Sequence, residues 1–364
     1  MKKVLLATTA IIAAGAFASP ARAELEVTVG GFVGFQAAMF DNDVANNSDR
    51  DFQSEAQIIV HADATADNGL QYGAKVVLDA STDDSDNADE VGIYLAGNWG
   101  RVELGDDDGA SELVVFAPTV GIGQINGSYD DFVSSGALAH GLNDRGDHNF
   151  TAIDTDDSTK VTYYTPKFSG FQAGVSYAPE IDNGENVVFT ENSTTSNDNF
   201  EIGLGYEGEF NDVMVKVGGN YIFGDAGSAT DEDVNAWSVG AQVGYRGFRL
   251  GGGYTDDGDS LGTAGTADDD ITSWNVGLTY ENGPWGVGVS YLDTDFDTNA
   301  DGSTIGGGAT GTGGDYTAWA FGGTYTVAPG LTVGADLAFF DRNATGTAND
   351  NDGYVAMTDV SAAF

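Results

Sequence analysis

Apolar residues alternate with small or polar residues, with a period of two, through most of this chain. In the segment 331–337, for example, leucine, valine and alanine alternate with threonine, glycine and aspartate. Successive side chains of an extended strand point to opposite faces, so the pattern predicts strands with one apolar and one small or polar face. Helical periodicity is nearly absent. Sixteen such segments can be recognised, beginning near Leu25, Phe52, Leu70, Glu90, Gly100, Thr159, Phe171, Phe200, Val213, Val234, Phe248, Ile271, Trp285, Tyr316, Leu331 and Gly353.

Charged residues avoid the apolar register of these segments. Followed through all sixteen segments, that register contains no Asp, Glu, Lys or Arg. The opposite register contains Glu26, Glu55, His61, Asp79, Arg101, Glu103, Lys160, Glu201, Lys216 and Asp336. A Lys or Arg that faces the lipid midplane costs about 2–4 kcal/mol, whereas a charge that faces water in a lumen costs little. Because a soluble barrel must instead be packed inside, the pattern predicts a membrane-spanning barrel that contains water.

The connections between the segments alternate in length. Short connections, such as 67–69 and 246–247, contain the Asn, Asp, Arg and Gly residues of tight hairpins, and long ones, such as 106–158 and 180–199, are polar. Short turns at one rim and long loops at the other are typical of outer-membrane barrels. We therefore predict an all-β fold, a 16-stranded antiparallel transmembrane β-barrel with short periplasmic turns and long external loops. The alternative is a soluble β-sandwich, whose loops are usually of similar length at both ends.

The first 23 residues have the features of a Sec signal peptide. Lys2 and Lys3 precede an apolar stretch of 14 residues, and the segment 21–23 has the A-x-A form of a cleavage site. The alternative, a membrane anchor, is disfavoured because 14 residues cannot cross about 30 Å of hydrocarbon as a helix. We predict cleavage after Ala23, a mature barrel over 24–364 and a location in the bacterial outer membrane. No later segment has 18 consecutive apolar residues, and a closed barrel needs none.

Composition excludes several functional classes. The formal net charge is −44 and would become −47 after loss of the signal peptide. Phosphate binding requires Lys and Arg, so nucleic acid is not an expected partner. The chain has no Cys and three His, which excludes thiolate chemistry and leaves little for imidazole metal sites. No nucleophile elbow is present, and we expect no enzymatic activity.

The longest connection, residues 106–157, differs from an ordinary loop. It spans 52 residues and contains the apolar residues 113–116, Ile122, Ile125 and Phe132. A solvated loop has no reason to contain such a set, and loops of this length are usually functional. We predict that this third loop folds inward, packs on the inner wall and narrows the lumen; the alternative is a lid over the mouth or over a neighbouring subunit. Its candidate acidic residues for the constriction are Asp106, Asp107, Asp108, Glu112, Asp130 and Asp131.

Basic residues are expected on the pore wall opposite this acidic loop. The candidates are Arg50, Lys75, Arg101, Lys160 and Lys216. Acids that face bases across a narrow pore would create a transverse field that orients polar solutes. Because basic residues are few, the summed potential is negative, and rings of Asp and Glu favour cations. The sequence therefore predicts a pore that prefers cations.

Aromatic residues cluster beside the short turns in the apolar register. They are Phe171, Tyr206, Tyr245, Phe248, Tyr280, Trp285 and Tyr325. An aromatic girdle at the membrane–water interface would lie at this position. Ordinary aromatic strand residues are the alternative interpretation.

Two stretches carry a resemblance to a known family. Residues 97–106, with 109–112 just beyond, resemble the strand and constriction-loop motif of general diffusion porins, and residues 160–171 are similar to the following hairpin. The match is strongest to the porins of photosynthetic purple bacteria and other alphaproteobacteria. It implies a sixteen-stranded homotrimer whose barrels conduct small hydrophilic solutes past an inward loop. Phe364 matches the terminal aromatic that the outer-membrane assembly machinery reads, although Ala362 replaces a common aromatic and the family's arginine-rich wall cannot be mapped.

One loop segment has a partial calcium-binding pattern. Residues 297–302 match the first half of an EF-hand loop, with Asp297, Asn299 and Asp301 as ligands, but Gly308 replaces the bidentate Glu. A calcium-binding turn and a solvated acidic loop are the two interpretations; no other cofactor is expected. Clustered acids in the external loops would bind divalent ions that bridge lipopolysaccharide, the partner expected beside the membrane lipid.

These observations favour a passive aqueous channel for ions and small hydrophilic solutes, with no chemical step. A solute-specific channel with a lumenal binding site is one alternative, and a structural or adhesive outer-membrane barrel is another. The inward loop has no obvious ladder of aromatic or Arg residues for a sugar or an anion. The general pore is therefore the preferred interpretation.

Overall fold

A closed antiparallel barrel accounts for nearly all of the regular structure. The computed structural model describes residues 25–41, 48–79, 88–120, 154–155, 157–181, 196–228, 231–260, 271–296, 314–344 and 351–364. Within these ranges the strands are β1 (Glu26–Asp41), β2 (Arg50–Thr65), β3 (Gln71–Asp79), β4 (Glu90–Gly97), β5 (Gly100–Asp106), β6 (Thr159–Tyr164), β7 (Phe171–Glu180), β8 (Asn197–Phe210), β9 (Val213–Asp225), β10 (Val234–Tyr245), β11 (Phe248–Asp256), β12 (Ile271–Asn282), β13 (Trp285–Phe296), β14 (Gly314–Ala328), β15 (Leu331–Ala344) and β16 (Asn351–Ala363). The predicted 16-stranded fold is confirmed, and each predicted strand start lies within three residues of the observed one.

The two ends of the described chain close the barrel. Each strand pairs with its neighbours in sequence, and β16 pairs with β1 from Phe32 opposite Ala363 to Asp41 opposite Tyr354. Beyond this ladder, the Phe364 amide donates to the Gly31 carbonyl at 3.0 Å and the Gly31 amide donates to the Phe364 carbonyl at 3.2 Å. The ladder therefore has no free edge, and every wall strand has two partners.

The wall places apolar side chains outside and polar side chains inside. In β8, Phe200, Ile202 and Leu204 are 37, 45 and 62% exposed, whereas the intervening Glu201 and the preceding Asn199 are fully buried. This placement of apolar side chains outside and polar side chains inside is opposite to that of a soluble barrel. It is the placement that a barrel in lipid requires.

Part of the inner wall departs from the predicted small or polar character. A buried apolar cluster lies on the inner side of β1 and β12–β16 and includes Leu292, Tyr316, Phe340 and Val355. Phe116, from the third loop, packs against it. The departure has a physical reason, since a loop with apolar side chains needs an apolar surface on which to pack.

The strands extend further toward the long-loop rim than the apolar segments do. The added outward positions are acidic: Asp256 lies opposite Trp237 in the ladder, Asp293 opposite Trp274, and Asp295 opposite Asp315. The charge-free outward register therefore holds for the middle of the wall and ends at this rim. Among the described residues, no helix is long and apolar enough to cross a membrane.

Candidate functional site

The third loop enters the lumen directly after β5. Gly105 has a φ of +141°, and a side chain there would overlap the Val91 carbonyl of β4, so this position requires glycine. A short 3-10 helix, Ala110–Leu113, follows and contacts the inner side of β6–β9. The Ala110 amide donates to Ser176 Oγ at 2.7 Å. The prediction that the third loop folds inward is confirmed for this limb.

A row of glycines on the inner wall accommodates the descending limb, residues 110–120. We call the row the glycine track; its members are Gly174, Gly203, Gly205, Gly218, Gly240, Gly253, Gly277 and Gly286. A Cβ at Gly218 would overlap the Leu113 carbonyl, and one at Gly277 would lie 2.7 Å from the Pro118 carbonyl. The loop backbone therefore lies directly on the wall backbone, at a distance that a side chain would prevent.

Polar wall side chains satisfy the backbone groups of this limb. The Asn275 Oδ1 atom accepts from the Ala117 amide at 3.1 Å and from the Gly253 amide at 2.9 Å. Gln242 Nε2 donates to the Phe116 carbonyl at 2.8 Å. A buried backbone group without a partner costs about 1–3 kcal/mol, so these amides make an irregular chain tolerable inside the barrel.

Glu201 on β8 joins the outgoing and returning limbs of the loop. Its Oε1 atom accepts from both the amide and the hydroxyl of Thr155, each at 2.6 Å. Its Oε2 atom accepts from the Ser111 amide at 3.3 Å. The carboxylate is fully buried, and charge-assisted hydrogen bonds of this kind are stronger than neutral ones. Sequence reasoning placed Glu201 in the lumen register but did not include it among the site residues.

The root of the loop, residues 106–109, is held by ionic contacts. The Lys75 ammonium lies 2.9 Å from Asp107 Oδ1 and also contacts Glu90. Lys160, which is buried, donates to the Asp107 carbonyl. Two of the predicted wall bases therefore contact the loop root itself and do not face it across the lumen.

The sequence profile of the Gram-negative porin family matches residues 7–345. The chain belongs to this family. Membership identifies the barrel as an outer-membrane porin, a channel rather than an enzyme.

Individual relatives agree with the family assignment. An uncharacterised protein of Rickettsia felis is 24% identical to this porin in an alignment that covers 81% of this chain and 86% of the relative. A porin of Rhodobacter capsulatus is 27% identical over 172 residues, covering 44% of this chain and 51% of that one. The structure of an anion-selective porin from Comamonas acidovorans superposes with a TM-score of 0.64 at 18% identity, covering 94% of this chain and 100% of that chain. At that identity the similarity shows the fold alone.

The other predicted wall bases of this porin lie apart from the loop root. Arg101 pairs with Glu103 and lies over the Tyr94 ring, 3.8 Å from its centroid. Lys216 lies 3.3 Å from Glu207, near the short-turn rim. Arg50 lies opposite the outward-facing Met39, 3.2 Å from Asp49, and is highly exposed. Its register is therefore that of the outer surface at the long-loop rim, not that of the inner wall.

The predicted acidic residues divide into three groups. Asp106 ends β5 opposite the outward-facing Val91, so its register is that of the outer surface and its predicted place in the constriction is wrong. Asp107 and Asp108 lie in the root of the loop, and Glu112 lies on the descending limb. Asp130 and Asp131 lie outside the described residues, as do the signal peptide and the calcium candidates Asp297, Asn299 and Asp301.

The two loop acids Asp108 and Glu112 have pKa values above their usual range. Desolvation is the largest cause for Asp108, followed by the negative charges of Glu112, Glu90 and Asp107, and together they raise its pKa to about 6. Desolvation also raises the pKa of Glu112, although Lys75 opposes the shift. The lumen near the loop root thus contains two carboxyl groups with raised pKa values, and that of Asp108, about 6, lies close to neutral pH.

Three carboxylates at the loop root are close enough to share a cation. Oxygens of Glu90, Asp107 and Asp108 lie within 4.8 Å of one another. Lys75 already contacts two of the three. Its ammonium group therefore supplies the positive charge that a metal ion would otherwise bring.

The predicted aromatic residues of the short-turn rim form cross-strand pairs. Ring centroids are 4.6 Å apart for Phe171 and Tyr206, and 4.4 Å apart for Trp285 and Tyr325. Phe248 and Tyr280 are also 4.4 Å apart, and Tyr245 lies opposite Phe248 in the ladder.

A second aromatic band lies nearer the long-loop rim and was not predicted. Trp274 pairs with Tyr291 at 5.1 Å, and Tyr291 pairs with Trp319 at 4.7 Å. On β12, β13 and β14 the second band lies six residues from the first, about 20 Å along each strand. That constant spacing was the sequence signal for the second band.

Proposed function

We propose that this porin is a passive channel for ions and small hydrophilic solutes, and that it prefers cations. The observation that carries the proposal is the inward path of the third loop, whose root brings Asp108 and whose descending limb brings Glu112 into the lumen. The nearby bases oppose this negative charge without cancelling it, since Lys75 and Lys160 are two cations beside the four carboxyl groups of Glu90, Asp107, Asp108 and Glu112. A pKa of about 6 leaves most Asp108 side chains ionised at pH 7, and carboxylates that line a pore favour cations.

The reversal potential in a planar bilayer under a potassium chloride gradient tests this preference. We expect the sign of a cation-selective pore, and a smaller potential for the double variant D108N/E112Q. The matched control is D295N/D315N, which removes two acids that lie opposite each other on the outward face of β13 and β14. An anion-selective potential, or equal shifts in the two double variants, would contradict a lumenal acidic filter.

We further propose that three copies of this porin associate. The mid-wall outward residues of β4 and β5 are Val91, Ile93, Leu95, Val102 and Leu104, an aliphatic surface. The sector β7–β14 instead carries the aromatic band of the short-turn rim, and β12–β14 also carry the second band; aromatic bands of this kind suit contact with lipid. A smooth aliphatic wall is able to pack against the wall of another barrel.

Electrophoresis of the unheated protein tests the trimer. Ile93→Trp should shift the trimer band toward the monomer, because Ile93 is 53% exposed on the proposed contact face. Val239→Trp is the control on the lipid-facing side, where Val239 is 44% exposed. A stable trimer band in the Ile93 variant would place the contact elsewhere.

We also propose that the assembly machinery recognises Phe364. The aromatic ring is 63% exposed while the backbone completes the barrel seam, so the side chain is accessible. Phe364→Ala should lower the yield of folded protein in the membrane, and an unchanged yield would argue against recognition.

A further inference from the structure

A cleft opens in the outer wall near the long-loop rim, where aromatic and acidic side chains lie beside one another. It has a volume of about 760 Å³ and lies across β7–β10. Four aromatic residues line it: Tyr177, Phe200, Tyr221 and Phe223. Three acidic residues also line it: Asp198, Asp225 and Asp233. We call this feature the aromatic–carboxylate cleft.

The rings form a continuous wall across three strands. Phe200 stacks on Phe223 with centroids 5.4 Å apart and planes inclined by 14°. Tyr177 lies 4.8 Å from Phe200, and Tyr221 lies 5.8 Å from Phe223. Phe200, Tyr221 and Phe223 are 37–41% exposed, so their surfaces are open to a ligand beside the barrel.

A local backbone irregularity positions one of the carboxylates. The ladder between β8 and β9 shifts register between Asn197 and Phe200, and Asp198 has a φ of +50°. Such bulges redirect side chains at the edge of a barrel. The Tyr177 hydroxyl donates to Asp198 Oδ1 at 2.6 Å, which fixes the carboxylate beside the ring wall.

The charge of the cleft is complementary to an organic cation. None of its ten lining residues is Lys or Arg. The faces of aromatic rings attract ammonium groups, and the attraction grows when the site is partly desolvated. Below the cleft on β8, Ile202 and Leu204 are 45 and 62% exposed, and they continue the surface as hydrocarbon.

We propose that the aromatic–carboxylate cleft binds the ammonium headgroup of a membrane amphiphile whose hydrocarbon chain lies along Ile202 and Leu204. The rings contact the cation, the acidic residues balance its charge, and the chain remains in the bilayer. The proposal rests on the outer-membrane location of the barrel. It does not depend on conduction through the lumen.

Photo-crosslinking in phosphatidylglycerol vesicles tests the proposal. The probe is a hexadecyltrimethylammonium with a diazirine next to its headgroup, and adducts are located by mass spectrometry of the digested protein. We expect adducts in the segments 177–181, 196–202 and 221–225. Unlabelled hexadecyltrimethylammonium should abolish them, whereas hexadecyl phosphate, hexadecyl glucoside and tetramethylammonium should compete weakly.

Two variants and one control separate charge and ring contributions. D198N/D225N and Phe200→Leu should each lower labelling about fivefold, the order expected when an ion pair or a cation–π contact is lost at a partly desolvated site. D295N/D315N removes two acids elsewhere on the same rim and should leave labelling unchanged. Heat-modifiable electrophoretic mobility verifies that each variant is folded.

Several outcomes would overturn the proposal. Equal loss of labelling in the control would mean that general surface charge attracts the probe. Effective competition by the glucoside would identify a sugar cleft, and competition by tetramethylammonium would remove the role of the chain. Conductance of the same preparations tests the channel separately, since a non-conducting protein that is still labelled contradicts only the proposed function.

Discussion

The loop that enters the lumen is held by charge at its root and by shape along its descending limb. At the root, Lys75 and Lys160 contact Asp107. On the descending limb, wall glycines such as Gly218 and Gly240 allow the loop carbonyls to approach the wall backbone. Ionic contacts respond to pH, salt and removal of one partner, whereas a steric fit does not. The comparison indicates that the charge of the pore can change while the path of the loop remains the same.

The largest effect is expected from filling the glycine track. A Cβ at Gly240 would overlap the Val115 carbonyl, so Gly240→Ala should displace the limb and destabilise the barrel by about 1–3 kcal/mol. Single-channel conductance and the melting temperature by circular dichroism measure the two consequences. Gly323→Ala is the control, because a Cβ there would lie 3.7 Å from its nearest neighbour. If both variants had the conductance and melting temperature of the wild type, the limb would not be held by its steric fit to the wall.

The next effect is expected at Glu201, where both limbs meet. Glu201→Gln places an amide group where the carboxylate accepts three hydrogen bonds, at a cost of about 1–3 kcal/mol. Hydrogen exchange should become faster at Ser111 and Thr155. Exchange that accelerates only at Thr155 would show that the glycine track alone holds the outgoing limb.

A smaller effect is expected from removing the ion pair at the root. Lys75→Met leaves Glu90 and Asp107 without their shared cation, so the permeability ratio of cation to anion should rise about twofold, the order of one added charge at a partly screened site. Conductance should change little if the limb keeps its path. Lys216→Met is the control, since its partner Glu207 lies near the short-turn rim and is half exposed. A collapse of conductance in the Lys75 variant alone would mean that the root also holds the limb.

The smallest effect is expected from pH. Asp108 has a pKa of about 6 in the folded protein, against an ordinary value of 3.8 for an aspartate side chain, so cation selectivity should fall as the pH is lowered from 7 to 5. Between these two pKa values the folded state binds more protons than the unfolded state. Stability due to this group therefore rises as the pH falls through 6, the opposite of an ion-paired carboxylate. In Asp108→Asn the selectivity step near pH 6 should disappear, and its persistence would assign the step to another group.

Three examples show which features could be predicted from the sequence and which could not. The seven rim aromatics were located by the short turns beside them, and three pairs of them meet across neighbouring strands. The prediction that Arg50 lies on the inner wall was wrong. Arg50 lies next to a loop, where the sequence pattern does not fix the strand register, and a shift of one residue in the pairing moves a side chain to the other face of the wall. Glu201 was in the correct register, but nothing local to it indicated Ser111 and Thr155 as partners.

By itself, the sequence determined the strands, their two faces and the inward loop, because a period of two and the cost of charge in lipid are properties of each segment alone. Only the tertiary structure decided which glycines meet the loop and which acids meet Lys75. Those contacts depend on the stagger between strands and on the path of a loop whose partners come from β3 and from β6 to β13. Distances across a closed barrel follow from all of its pairings together, and no single segment encodes them.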